Sequence, residues 1–110
     1  MNNKLPAVIG LAKKAGAVAA GTTAVTDALR RGKAALVLTA TDISAATSEK
    51  LRNKCAFYKT PLVCSGLTMD ELSSAIGLLR SSSAVALTNP DFVPLIYKNL
   101  NNPESYSLSD

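Results

Sequence analysis

Few residues in this sequence could do chemistry, and their types favour binding over bond making. There is no histidine, so the usual general acid or base is missing, and the carboxylates are few and scattered. Two cysteines, Cys55 and Cys64, fall short of a disulfide framework, and of a zinc site, which takes about four ligands. Both read as buried, reduced thiols, although Cys64, at a strand end, is the more open to a nucleophilic role. Neither a Walker-type GxxxxGKS/T nor a dinucleotide GxGxxG occurs. No catalytic residue, metal or cofactor is expected.

What remains is a constellation suited to anions. Gly21-Thr22-Thr23-Ala24 reads as the N-terminus of a helix, where free backbone N–H groups and the helix dipole suit a phosphate. The plainer reading is that Gly21 and the threonines only cap the helix, since nearly every helix needs a cap. Arg30, Arg31 and Lys33 follow at its far end, about 15 Å away, too far to grip the same phosphate. They complement the helix dipole or contact nucleic acid. Lys13 and Lys14 carry the same alternatives and read as lying near the site. Lys50, Arg52, Lys54 and Lys59 read as a solvated face. Single-strand readers interleave aromatic rings with bases, and only Phe57, Tyr58, Phe92, Tyr97 and Tyr106 are available, most of them at helix-core spacing.

The elements that position these residues follow from periodicity. Leu5, Val8, Ile9 and Ala12 recur at helical spacing, with Lys4, Lys13 and Lys14 off the stripe, so a first helix runs to Gly16. After a short apolar run at residues 17–20, a second helix carries Val25, Ala28 and Leu29 inward, with Thr22 or Thr23 offering a hydroxyl cap. Residues 34–40 (AALVLTA) form a continuous apolar run, as a strand covered on both faces requires. Leu51, Cys55 and Tyr58 mark a third helix, and Pro61 opens a strand at residues 62–65. Thr68 with Glu71 reads as a capping box for a fourth helix burying Met69, Leu72, Ile76 and Leu79. Residues 84–88 form another strand. Asn89-Pro90-Asp91 begins a last helix with Phe92, Leu95, Ile96 and Leu100 inward. Alternating helices and strands imply an α/β fold, a three-layer α-β-α sandwich around a mixed, mostly four-stranded sheet that is at least partly parallel.

Length and composition agree. The chain has 110 residues, 47% hydrophobic and 18% charged, which fits one folded domain with a normal core over residues 1–100. Residues 101–110 read as a polar, frayed tail. The net charge is +4; without Glu104 and Asp110, residues 1–100 carry six acids against twelve bases. Such an excess attracts polyanions, with RNA and anionic protein surfaces the usual candidates. The start fits neither a signal peptide nor a membrane span, so a cytoplasmic protein is expected. No long exposed apolar run asks for an oligomer, so a monomer is expected.

Residues 21–42, a Gly-led helix followed by basic-Gly and a hydrophobic strand ending in Ala40-Thr41-Asp42, resemble the ribosomal-protein L-seven-Ae / L-thirty-e family. The resemblance runs over residues 5–100. Leu11-Ala12-Lys13-Lys14-Ala15-Gly16 is similar to the first-helix end of bacterial members, and Lys54-Cys55-Ala56-Phe57-Tyr58-Lys59-Thr60-Pro61 to their third helix and next strand. The segments 68–77 and 84–92 resemble the following helix, strand and final helix. The resemblance implies the α-β-α sandwich and binding of kink-turn RNA, ribosomal RNA among it, alongside ribosomal protein partners. Carried over by position, the helix contacts are Gly21, Thr22, Thr23, Ala24 and Asp27. The loop packing beneath an extruded base is Cys64, Ser65, Gly66, Leu67 and Thr68, with Leu67 its apolar contact. Lys13, Lys14, Arg30 and Lys33 are the supporting cations. Archaeal and eukaryotic members read Gly-x-Asn-Glu-x-x-Lys where this chain reads Gly21-Thr22-Thr23-Ala24-Val25-Thr26-Asp27, so a carboxylate stands in place of a lysine and would repel phosphate.

Three functions compete on these residues. The first is non-catalytic binding of structured RNA by a ribosomal or ribosome-associated protein. The second is a protein-interaction module that kept the fold and lost the RNA site, with Asp27 as the clue. The third is the RNA-recognition half of an rRNA methyltransferase, an enzyme family similar in carrying this kind of domain, whose catalytic domain is not among these residues.

Overall fold

The computed structural model describes residues 4–77 and 82–100. In chain order the elements are α1 (Leu5–Lys14), β1 (Val18–Ala20), α2 (Thr22–Arg30), β2 (Leu36–Thr39), α3 (Ala45–Phe57), β3 (Leu62–Cys64), α4 (Met69–Ala75), β4 (Ala84–Leu87), a 3-10 turn (Pro90–Phe92) and α5 (Val93–Lys98). The apolar run at residues 17–20 is thus mostly an edge strand. The last helix opens as the 3-10 turn, with Asn89 Oδ1 accepting from the Asp91 N–H at 2.9 Å. Leu95, expected inward, is 43% exposed. The Leu79 assignment and the tail at 101–110 lie outside the described residues.

The sheet order is β1-β4-β2-β3. β2 and β3 run parallel, while β4 runs antiparallel to both β1 and β2. Every residue of β2 and β4 is buried, because strand side chains alternate and both faces are covered. Leu36, Leu38, Val85 and Leu87 enter one core with Leu5, Val8, Ile9 and Ala12 of α1, Leu72 of α4 and Ile96 of α5. Val37, Ala84 and Ala86 enter the other with Val25, Ala28 and Leu29 of α2 and Leu51 and Cys55 of α3. The three-layer sandwich is confirmed. Each fully buried leucine or isoleucine contributes on the order of 1.5–3 kcal/mol. On the first face α1 and α4 pack almost backbone to backbone: a Cβ at Gly10 would lie 3.1 Å from the carbonyl oxygen of Ala75.

Topology decides which loops meet. β1, β2 and β3 point one way and β4 the other, so the carboxyl ends of the first three share an edge with the amino end of β4. Backbone bonds stitch that edge: Gly21 N–H to Ala84 O (2.9 Å), Ala40 N–H to Ser83 O (2.9 Å), Ser65 N–H to Thr39 O (2.9 Å) and Thr41 N–H to Leu67 O (2.8 Å). The opposite edge gathers other segments, with Thr88 N–H on Ala17 O (2.8 Å) and Ala35 N–H on Leu87 O (2.7 Å). Among the described residues, no helix is long and apolar enough to cross a membrane.

Candidate nucleic-acid interface

α2 begins at the stitched edge. Gly21, its N-cap, sits at φ 92°, ψ 156°, a region open essentially to glycine alone. That conformation turns the chain from β1 straight into the helix, and Val25 N–H makes the first helical bond, to Gly21 O at 2.9 Å. The preceding helical amides, of Thr22, Thr23 and Ala24, lie ahead of the i→i−4 ladder and face outward along the helix axis. The expected hydroxyl cap is not formed: Thr22 and Thr23 are the first residues inside the helix, and no side chain caps α2. Both threonines are exposed.

α3 lies beside α2 on the same face. Ser44 caps it, its Oγ accepting the Thr47 N–H at 3.1 Å. Leu51 and Cys55 are buried, and burial pushes the Cys55 thiol pKa up. Lys50 and Lys54 each stand one position before a buried residue, about 100° round the helix, and so border the seam with α2. They line a groove together with Gly21, Thr22, Thr23, Ala24, Asp27 and Arg30, which Thr47, Ser82 and Ser83 extend. Lys50 is exposed and Lys54 half-buried, so they stand on a solvated face as read, and that face also borders the groove. Their four-residue spacing was visible in the sequence, but their neighbour α2 was not.

Asp27 is not a bare carboxylate. It pairs with Arg30 on its own helix, and its Oδ2 forms an ion pair with Arg31 Nε at 3.1 Å. The Arg30 hydrogen bond foremost, and the charges of both arginines, hold its pKa below the usual carboxylate value. Reaching back to Asp27 brings Arg30 into the groove that Gly21 opens, which helix length alone would keep apart. Among the described residues the groove then holds three cations, Arg30, Lys50 and Lys54, against one ion-paired carboxylate.

The loop after β3 reaches the same edge but turns to the other face of the sheet. Leu67, expected as its apolar contact, is 4% exposed and belongs to the core with α1 and α4. Ser65 is buried, its Oγ accepting the Leu67 N–H at 3.0 Å. Thr68 forms the expected capping box: Oγ1 accepts Glu71 N–H at 3.1 Å, and Glu71 Oε1 accepts Thr68 N–H at 2.9 Å. Asp42 Oδ1 accepts the Met69 N–H at 2.8 Å, tying the β2 and β3 loops together. The loop's surface is Cys64 and Gly66, both exposed. Cys64 is thus not a buried thiol.

Lys13 and Lys14 are not near α2's start. They close α1, where Ala17 N–H bonds Ala12 O at 2.8 Å, at the edge opposite Gly21. Lys33 is there too, its N–H on Ala28 O at 2.9 Å and its segment leading into Ala35 on Leu87. The length of β1, about 13 Å from residue 17 to 21, separates the two edges.

Comparisons with known proteins agree with this architecture. The chain is 39% identical over 54 residues to the RNA-binding protein YlxQ of Bacillus subtilis (strain 168), a match covering 49% of this chain and 54% of that relative. The chain thus spans about half the length of that curated relative. A structure described as a protein with unknown function from Bacillus halodurans superposes with a TM-score of 0.80 at 26% identity, covering 88% of this chain and 96% of that one. The Giardia lamblia 15.5kD RNA binding protein shares the fold, with a TM-score of 0.71 at 18% identity over 96% of this chain and 92% of its own. A family model matches residues 3–96, and with the α-β-α sandwich and the Gly21-led helix in place, the chain belongs to the ribosomal protein L7Ae/L30e/S12e/Gadd45 family.

Proposed function

We propose that this protein binds structured RNA of the kink-turn kind, without catalysis, as a cytoplasmic monomer associated with ribosomal RNA and ribosomal proteins. The observation that carries the reading is the groove between α2 and α3, which Arg30, Lys50 and Lys54 line together with the amide end of α2 at Gly21–Ala24. Backbone N–H groups and a helix dipole recognise a phosphate's charge and position without reading a base. Three cations along the groove extend that attraction to neighbouring phosphates of a bent backbone. The groove's one carboxylate is held ionised by arginines, a state suited to structure rather than proton transfer. Family membership and the RNA-binding relative support RNA as the polyanion.

The test is a fluorescence titration of a labelled kink-turn RNA against a matched plain duplex at several salt concentrations. The expected result is a preference for the kink-turn and a log–log salt slope of roughly −3 to −5, as for about four to five neutralised phosphates. Equal affinity for both RNAs removes the kink-turn reading. Absent or salt-insensitive binding removes RNA binding and leaves the protein-interaction alternative.

A further inference from the structure

We infer that a hollow on α3 beside Phe57 is a second nucleotide site, which takes one unpaired base of the RNA held in the α2–α3 groove; the inference rests on the RNA-binding reading above. Phe57 is the last residue of α3 and 77% exposed. It does not anchor the helix, since Leu51 and Cys55 supply the buried stripe. Its ring and that of Tyr58 are perpendicular, with centroids 4.9 Å apart and planes at 87°. That contact holds the ring in place while its exposure leaves a face open to stacking.

The surroundings of the ring complete a nucleotide's requirements. The hollow is lined by Lys50, Asn53, Lys54, Phe57 and Tyr58. Asn53 stands one turn before Phe57 on the helix, and its amide offers both donor and acceptor to a base edge. Lys50 and Lys54 supply charge for the adjoining phosphates. The same two lysines line the α2–α3 groove, so groove and hollow form one cationic track along α3. A strand that follows this track out of the groove would reach the ring. The apolar area is two adjoining aromatic residues, Phe57 and Tyr58, flanked by ammonium groups and an amide, which suits a stacked base on a polyanion better than a protein's hydrophobic anchor. Among the described residues no acidic side chain lines the hollow.

The test compares labelled kink-turn RNA with blunt ends to the same RNA carrying three unpaired nucleotides at one end or the other. For the natural protein, one extension tightens binding by about tenfold, the worth of one stacked base. Phe57→Ala loses that gain and binds the blunt RNA unchanged; Phe57→Tyr keeps the gain. Circular dichroism melts of both variants check the fold, which an exposed ring does not support. If neither extension tightens binding, or if Phe57→Ala retains the gain, the site is overturned while kink-turn binding stands. A labelled single-stranded heptanucleotide provides an independent arm. Binding weakened by Phe57→Ala supports the site even where the kink-turn preference fails, and binding indifferent to Phe57 overturns it.

Discussion

Arg31 Nε lies 3.1 Å from Oδ2 of Asp27, one turn back along α2, as an ion pair, and Arg30 pairs with the other carboxylate oxygen. The residue that looked like a negative charge set against RNA is thus enclosed by two positive ones. Its groove face is cationic in sum, and Arg30 is held where the groove can use it.

Replacing Asp27 with Asn should therefore tighten RNA binding by about 3- to 10-fold at low salt and steepen the salt slope by roughly one, as a released cation finds a phosphate. Titrations in a salt series check this. A loss of affinity would show instead that the carboxylate itself accepts a hydrogen bond from the RNA. Because the folded pKa of Asp27 is depressed, its stabilising contribution is present above the ordinary carboxylate pKa and lost as pH falls through the folded value. Natural protein should thus lose more stability between neutral and acid pH than Asp27→Asn, as urea melts at each pH would show.

Gly21→Ala should destabilise the protein by about 1–3 kcal/mol, measured by urea unfolding, because φ 92° is strained for any L side chain. The cost is conformational: a Cβ there meets nothing within 4 Å. RNA affinity should fall as well, since relief of the strain re-aims the first amides of α2. Unchanged stability would mean that the turn does not need its positive φ.

Lys50→Glu combined with Lys54→Glu should flatten the log–log salt slope by about two, one per phosphate contact removed. Lys13→Glu combined with Lys14→Glu changes net charge equally but lies at the opposite edge, and should leave the slope nearly intact. Equal losses from both pairs would mean that overall charge, not the groove, attracts the RNA.

The two thiols should react at very different rates. Cys64 is exposed and Cys55 buried, so a thiol-specific reagent should modify one equivalent rapidly and the second only on unfolding. Cys64→Ser removes the fast phase. Burial raises the Cys55 pKa, so its contribution to stability is complete below the unfolded thiol pKa and is lost as pH rises through the folded one. Cys55→Ala should flatten that alkaline decline, measured as urea stability against pH.

Local pattern was sufficient wherever the determinant was local. The α1 stripe of Leu5, Val8, Ile9 and Ala12, the doubly buried run of β2 and the reciprocal Thr68–Glu71 cap appear as read, because helical period, strand alternation and capping each involve residues within a turn or two. The amide end of α2 at Gly21 was legible for the same reason. Tertiary structure decided everything that joins separate segments. Leu67 and Cys64 exchanged their expected exposures because the β3 loop turns toward α1 and α4, which no local pattern encodes. Lys13 and Lys14 fell at the far edge because β1, read only as an apolar run, spans the sheet between them and Gly21. Lys50 and Lys54 joined Gly21 because the antiparallel insertion of β4 between β1 and β2 sets α2 beside α3 on one face. The sequence by itself determined most of the helices and strands, β1 and the 3-10 opening of the last helix excepted, and what charge they carry; which of those charges share a groove was settled by strand order, since electrostatic attraction depends on distance in space and not on separation along the chain.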